Sequence, residues 1–117
     1  MAQSDNVLTK MQDLILYMTP QLAKFPRDYK FTLGDRIFTR LLEVQEQCVR
    51  AYYKREKRSH LEEANVGLEL TRHLVRLAHA MKLFGHDRYE VISQKTDEVG
   101  RMLGGWIKQQ TGKEPQA

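Results

Sequence analysis

Apolar side chains return every three or four residues along most of this chain, and that spacing leaves little choice of fold. It lays one continuous apolar stripe on an α-helix and offers no coherent face to a strand. The first run is Val7, Leu8, Met11, Leu14, Ile15, Met18, Leu22 and Phe25. It predicts a helix over about residues 5–25, starting near Ser4 or Asp5, with a kink or break at Pro20 and a stop at Phe25-Pro26-Arg27. The second run, Ile37, Leu41, Val44, Cys48 and Ala51, alternates steps of four and three, the seam of a helix packed nearly antiparallel to a neighbour. Thr32-Leu33-Gly34-Asp35 reads as an approximate capping box opening that helix, over about residues 33–55.

Ser59-His60-Leu61-Glu62 has the S-x-x-E form of a capping box, so the turn before it must be short and must lie within Lys54-Arg55-Glu56-Lys57-Arg58. The third helix is expected over about 60–84, closed by Gly85 as a left-handed cap. It carries two stripes: Leu61, Ala64, Leu68, Thr71, Val75 and Ala78, and beside them Leu70, Leu74, Leu77, Met81 and Phe84. An apolar arc that wide implies deep burial or a subunit contact. Asp87-Arg88-Tyr89-Glu90 repeats the capping logic for a fourth helix over about 88–110, with Tyr89, Ile92, Thr96, Val99, Met102, Leu103, Trp106 and Ile107 inward. It should fray near Gly112 into a flexible tail, 112–117. Short turns between four helices predict an all-α, antiparallel up-down-up-down four-helix bundle, and the length of 117 residues suits one domain over 1–117.

No segment reaches the roughly 18 apolar residues a membrane span needs, and Met1-Ala2-Gln3-Ser4-Asp5 lacks the features of a signal peptide. The lone Cys48 fits a reducing compartment and sits on the apolar seam, where it reads as a small buried hydrophobe. A cytoplasmic location with no membrane partner is expected.

Catalytic and metal-binding constellations are hard to find. None of His60, His73, His79 and His86 completes the Glu-x-x-His spacing of a di-iron bundle, so neither metal nor cofactor is expected. Glu62 belongs to a capping box, while Glu63 and Glu69 fall on a polar face. Asn65, Thr71 and Thr96 are the inward-facing polar candidates, read as hydrogen-bonded core residues. Gly100, Gly104 and Gly105 crowd one helix, where each costs up to about 1 kcal/mol against alanine. Such a cluster implies a packing demand. Gly100, Gly104 and Trp106 are therefore assigned to a tight contact within the bundle or between subunits, with Leu74 and Met81 as further contact residues.

Charge alone does not assign a function. The chain is +4 with a pI near 9.3, which leans toward an anionic partner. Arg50, Lys54, Arg55, Lys57 and Arg58 place five cations within nine residues, interleaved with Tyr52 and Tyr53. Such a patch can neutralise phosphates and stack on bases, although a helix C-terminus also favours cations for its own dipole. Arg36 and Arg40 extend the candidate surface, and Glu43, Glu46 and Glu56 offset part of it.

Tyr17-Met18-Thr19-Pro20-Gln21-Leu22-Ala23-Lys24-Phe25-Pro26-Arg27 and Asp97-Glu98-Val99-Gly100-Arg101-Met102-Leu103-Gly104-Gly105-Trp106-Ile107 resemble the accessory variability determinant (Avd) proteins of bacterial diversity-generating retroelements. Phe31-Thr32-Leu33-Gly34-Asp35-Arg36-Ile37 is similar to the wider family of four-helix proteins encoded within bacterial large-subunit ribosomal RNA genes. The resemblance implies a four-helix protomer in a homopentameric ring, binding nucleic acid and a reverse transcriptase and catalysing nothing itself. It supplies no individual site residue, so the candidates remain Arg36, Arg40, Arg50, Lys54, Arg55, Lys57 and Arg58 from local charge. Two rivals stand beside it: a structural or protein-interaction bundle with no nucleic-acid affinity, and a small enzyme or ligand-binding bundle.

Overall fold

Each of the four apolar runs folds into a long helix, because a stripe repeating at helical period can be buried only by packing that helix against others. The computed structural model describes residues 2–113, and side chains over residues 7–110. Helix α1 spans Ala2–Ala23, α2 Asp35–Tyr53, α3 Arg58–Ala80 and α4 His86–Lys113, and there is no strand among the described residues. In order, α1 packs on α2, α2 on α3, α3 on α4, and α4 returns to α1, so the four surround one core. Val7, Met11, Leu14 and Met18 of α1, Ile37, Leu41 and Val44 of α2, Leu61 and Leu68 of α3, and Ile92, Leu103 and Trp106 of α4 are almost fully buried there.

Several boundaries differ from expectation, each for a local reason. Helix α1 begins at Ala2, before Ser4 and Asp5, and it continues through Pro20. Pro20 lies exposed in the last turn, where the missing amide leaves one carbonyl on the solvent side. After Pro26 a helical turn, Arg27–Tyr29, leads through a π-helical segment, Lys30–Gly34, directly into α2. Thr32 is thus already inside the helix and caps nothing. Its hydroxyl donates back to the Asp28 carbonyl at 3.1 Å, as a threonine does once it sits within a helix.

The Ser59 capping box also fails, because α3 has begun one residue earlier at Arg58. Glu56 takes over: its Oε1 accepts the Arg58 amide at 2.8 Å. At the other end, α3 stops at Ala80 instead of Phe84, and the left-handed position falls on Lys82 (φ 65°) and not on Gly85. The Leu83 amide reaches the Ala78 carbonyl and the Lys82 amide reaches that of His79, both at 2.9 Å, a Schellman closure built on a lysine. This turn drops Phe84 into the core against Phe25, ring centroids 5.2 Å apart. Helix α4 runs one residue past Gly112, and residues 114–117 of the expected tail lie outside those described.

The predicted faces fare better than the predicted ends. All five seam residues of α2 and all six of the first α3 stripe are buried. Of the polar candidates, Thr71 and Thr96 are buried and donate to the carbonyls of Gly67 (2.8 Å) and Ile92 (2.7 Å). Asn65 is exposed, because it sits one residue beyond Ala64 and so turns about 100° off the buried face. The second α3 stripe stays largely outside: Leu70, Leu77 and Met81 are exposed, Leu74 is half-buried and Phe84 is buried.

Candidate nucleic-acid interface

The basic run lies where the chain leaves α2 and enters α3, a place where charge has structural work to do. Carbonyls at a helix C-terminus lack amide partners, and the negative end of the helix dipole draws cations. Lys54 departs in extended conformation (φ −85°, ψ 151°) while its amide still donates to the Arg50 carbonyl at 2.8 Å. The Lys57 ammonium then folds back over the helix end. It donates to the carbonyls of Ala51 (2.8 Å), Lys54 (2.9 Å) and Tyr52 (3.1 Å), using all three of its protons.

Other members of the proposed patch are held by neighbouring carboxylates. Arg50 binds Glu46 through Nε and Nη2 at 3.1 and 2.9 Å, Arg58 Nε meets Glu62 at 3.1 Å, and Arg40 reaches Glu43 at 3.3 Å. These are same-helix, exposed pairs, each of small net worth and open to competition from a phosphate. Lys54, Arg55 and Arg36 are exposed and form no ion pair among the described residues. Tyr53 stands beside the first two, 79% exposed, with its ring 5.0 Å from that of Tyr52.

The structure therefore brings Arg50, Lys54, Arg55, Lys57 and Arg58 to one end of α2 and leaves Arg36 at the other, about 27 Å away at 1.5 Å per residue. Arg40 lies one turn from Arg36. The cations of this run that form no ion pair among the described residues are Lys54 and Arg55, next to the exposed ring of Tyr53 and flanked by Arg50 and Arg58.

The residues assigned to tight packing separate as well. Gly100 meets α3: a Cβ there would stand 2.6 Å from Arg72 Nη2 and 3.5 Å from Leu68 Cδ2. Its bare backbone makes room for the Arg72 guanidinium, which pairs with Asp97 through Nη1 and lies 3.4 Å from Glu69. Gly104 is exposed with open space where a side chain would be, and Trp106 is buried in the core. Gly67 is the close approach that sequence reasoning passed over; a Cβ there would meet Val44 Cγ2 at 2.9 Å. An isolated glycine in mid-helix was the available signal.

Three of the histidines make local contacts. His79 stacks on Tyr89 at 4.0 Å, His86 meets Glu90 at 3.0 Å, and His60 Nδ1 lies 2.8 Å from Gln47 Oε1. Cys48 is fully buried, and desolvation pushes its thiol up to about 12. No helix is long and apolar enough to cross a membrane among the described residues.

Fold and surface together define an all-helical protein that presents a basic, tyrosine-bearing turn at one end and an uncovered apolar stripe along one helix. Residues 7–110 match the bAvd-like family, and the chain belongs to that family. No curated protein matches the chain.

Proposed function

We propose that this chain is a non-enzymatic, oligomeric adaptor that binds nucleic acid through the corner formed by Tyr53, Lys54 and Arg55. The observation that carries this reading is membership of the bAvd-like family over residues 7–110. Free cations beside a tyrosine ring 79% exposed narrow the surface to one end of the molecule. The protomer is an antiparallel up-down-up-down bundle in a single domain. Its turns of a few residues and the Phe25–Phe84 contact, which sets the end of α1 beside the start of α4, support that arrangement. It assembles as a homopentamer in the bacterial cytoplasm and joins a reverse transcriptase of a diversity-generating retroelement. Five chains at +4 give a ring of about +20, a field far more effective on a polyanion than one protomer's.

Fluorescence anisotropy with short labelled RNA and DNA strands, started at about 50 mM salt, tests the surface. Binding should weaken steeply with added salt, and Lys54→Ala with Arg55→Ala should lower the slope of log K against log salt by about two. No binding at the lowest salt, or a double variant indistinguishable from the parent, rules the surface out. In sedimentation, a 13.8 kDa monomer at micromolar concentration rules out the ring.

One observation favours a second reading, a protein-interaction bundle without nucleic-acid affinity. Val66 (56%), Leu77 (50%) and Leu70 (40%) form an exposed apolar stripe at helical spacing on α3, and Met81 (38%) continues it just past the helix end. That reading expects assembly with no response to RNA or DNA.

A further inference from the structure

Between α2 and α3 runs a groove of about 370 Å³ whose charge opposes that of the protein as a whole. Val44 and Gly67 both line it, and a Cβ on Gly67 would stand 2.9 Å from Val44 Cγ2. Three carboxylates line it, Glu43, Glu46 and Glu63, against one guanidinium, that of Arg40. Among the described residues Glu43 pairs with the half-buried Arg40 at 3.3 Å and Glu46 with the exposed Arg50 at 2.9 Å, both on their own helix, while Glu63 forms no ion pair. Val66 and Leu70 form an apolar rim on the α3 side, both exposed.

An acidic channel with an apolar edge, on a chain of net charge +4, repels a phosphate backbone and attracts the opposite kind of surface. Glu43 and Glu46 stand one turn apart, which matches cations placed three or four residues apart on a facing helix. We infer that this groove docks a basic amphipathic helix of a partner protein, whose Lys or Arg side chains meet Glu43, Glu46 and Glu63 while its apolar face covers Val66 and Leu70. The occupant is a polypeptide, so this surface is separate from the nucleic-acid corner at Tyr53–Arg55. The same-helix pairs of Arg40 and Arg50 cost little to open, which leaves the carboxylates available to it.

The test uses the full chain and a labelled synthetic helix with lysines along one edge and leucines along the other, followed by anisotropy in the absence of nucleic acid. A scrambled peptide of the same composition is the control. The combined variant Glu43→Gln, Glu46→Gln, Glu63→Gln changes exposed side chains only, and circular dichroism checks that it stays folded. The inference expects the ordered peptide to bind at least about tenfold more tightly than the scrambled one. It also expects a loss of about tenfold or more in the triple variant, and a comparable loss with Val66→Ser and Leu70→Ser. Equal binding of both peptides, or an unchanged triple variant, overturns it. A fall in oligomer mass on light scattering of the triple variant assigns the groove to a second copy of this chain and also overturns it. RNA and DNA affinity should not fall in the triple variant, so failure of this groove and failure of the nucleic-acid corner are read separately.

Discussion

The turn between α2 and α3 and the turn between α3 and α4 face the same physical problem and solve it with different parts. Each follows a helix whose last carbonyls need donors. After α3 the backbone supplies them, with Lys82 in left-handed conformation so that the amides of Lys82 and Leu83 reach back to His79 and Ala78. After α2 a side chain supplies them: the Lys57 ammonium spans three carbonyls that the extended departure of Lys54 left open. The two lysines therefore differ in kind. At Lys82 the ammonium is irrelevant and the backbone angle matters, whereas at Lys57 the ammonium is the structural element.

Removing Lys57 should have the largest effect. Lys57→Met keeps the stem and deletes the charge, leaving the carbonyls of Ala51, Tyr52 and Lys54 without their donor. Hydrogen bonds to a charged group contribute about 1.5–3 kcal/mol, so unfolding in urea should show a loss of about 2 kcal/mol. Cys48 reports the same event chemically, since it is fully buried one turn before Tyr52 and its thiol is held near 12. Its labelling by a thiol reagent at neutral pH should be slow in the parent and faster in Lys57→Met. If the variant matches the parent in both assays, the turn does not depend on its ammonium and the contrast with Lys82 disappears.

Next in size is a pair of glycines, and it shows how far the sequence could be read. The helical faces were legible because period is a property of the local sequence, and the seam of α2 and the first stripe of α3 are buried as expected. Helix ends were not, because caps depend on where the preceding turn lets the chain enter: Ser59 and Thr32 have capping chemistry but stand inside helices already begun. Site charges were legible as a cluster, but not as free or committed, since Lys57 differs from Lys54 only in three dimensions. The glycines repeat the point. Gly104 drew notice beside Gly100 yet faces open space, while Gly67 is pressed against Val44. Gly67→Ala should cost about 1 kcal/mol or more, overpacking against a stiff β-branched side chain outweighing the gain in helix propensity. Gly104→Ala should gain up to about 1 kcal/mol in the protomer. Thermal melts of the two distinguish a real close approach from a glycine that merely clusters with others.

Lys82→Gly sharpens the comparison from the other side, by about 0.5–1 kcal/mol in favour of the variant. Glycine adopts φ 65° without the penalty a lysine carries there, partly offset by its greater freedom when unfolded. A melting temperature lower than the parent's would show that the lysine side chain contributes at this turn after all, and that the two turns are more alike than their backbones.

The smallest effect on stability belongs to Lys54→Ala and Arg55→Ala, and its smallness is informative. Both residues stand in the same basic run as Lys57, yet neither has an ion-pair partner among the described residues, and both side chains are exposed. Lys54 contributes its backbone, through the amide bonded to Arg50 and the carbonyl bonded to Lys57, and alanine retains both. Each substitution should therefore stay within about 0.5 kcal/mol in urea, as for other surface changes without a cap or buried partner. The same two substitutions carry the expected loss of RNA and DNA affinity. Stability and binding should thus divide the run residue by residue, with Lys57 moving the first and Lys54 and Arg55 the second. A double variant that unfolds as easily as Lys57→Met would mean that the whole run is a cap, and that no part of it is held in reserve for a partner.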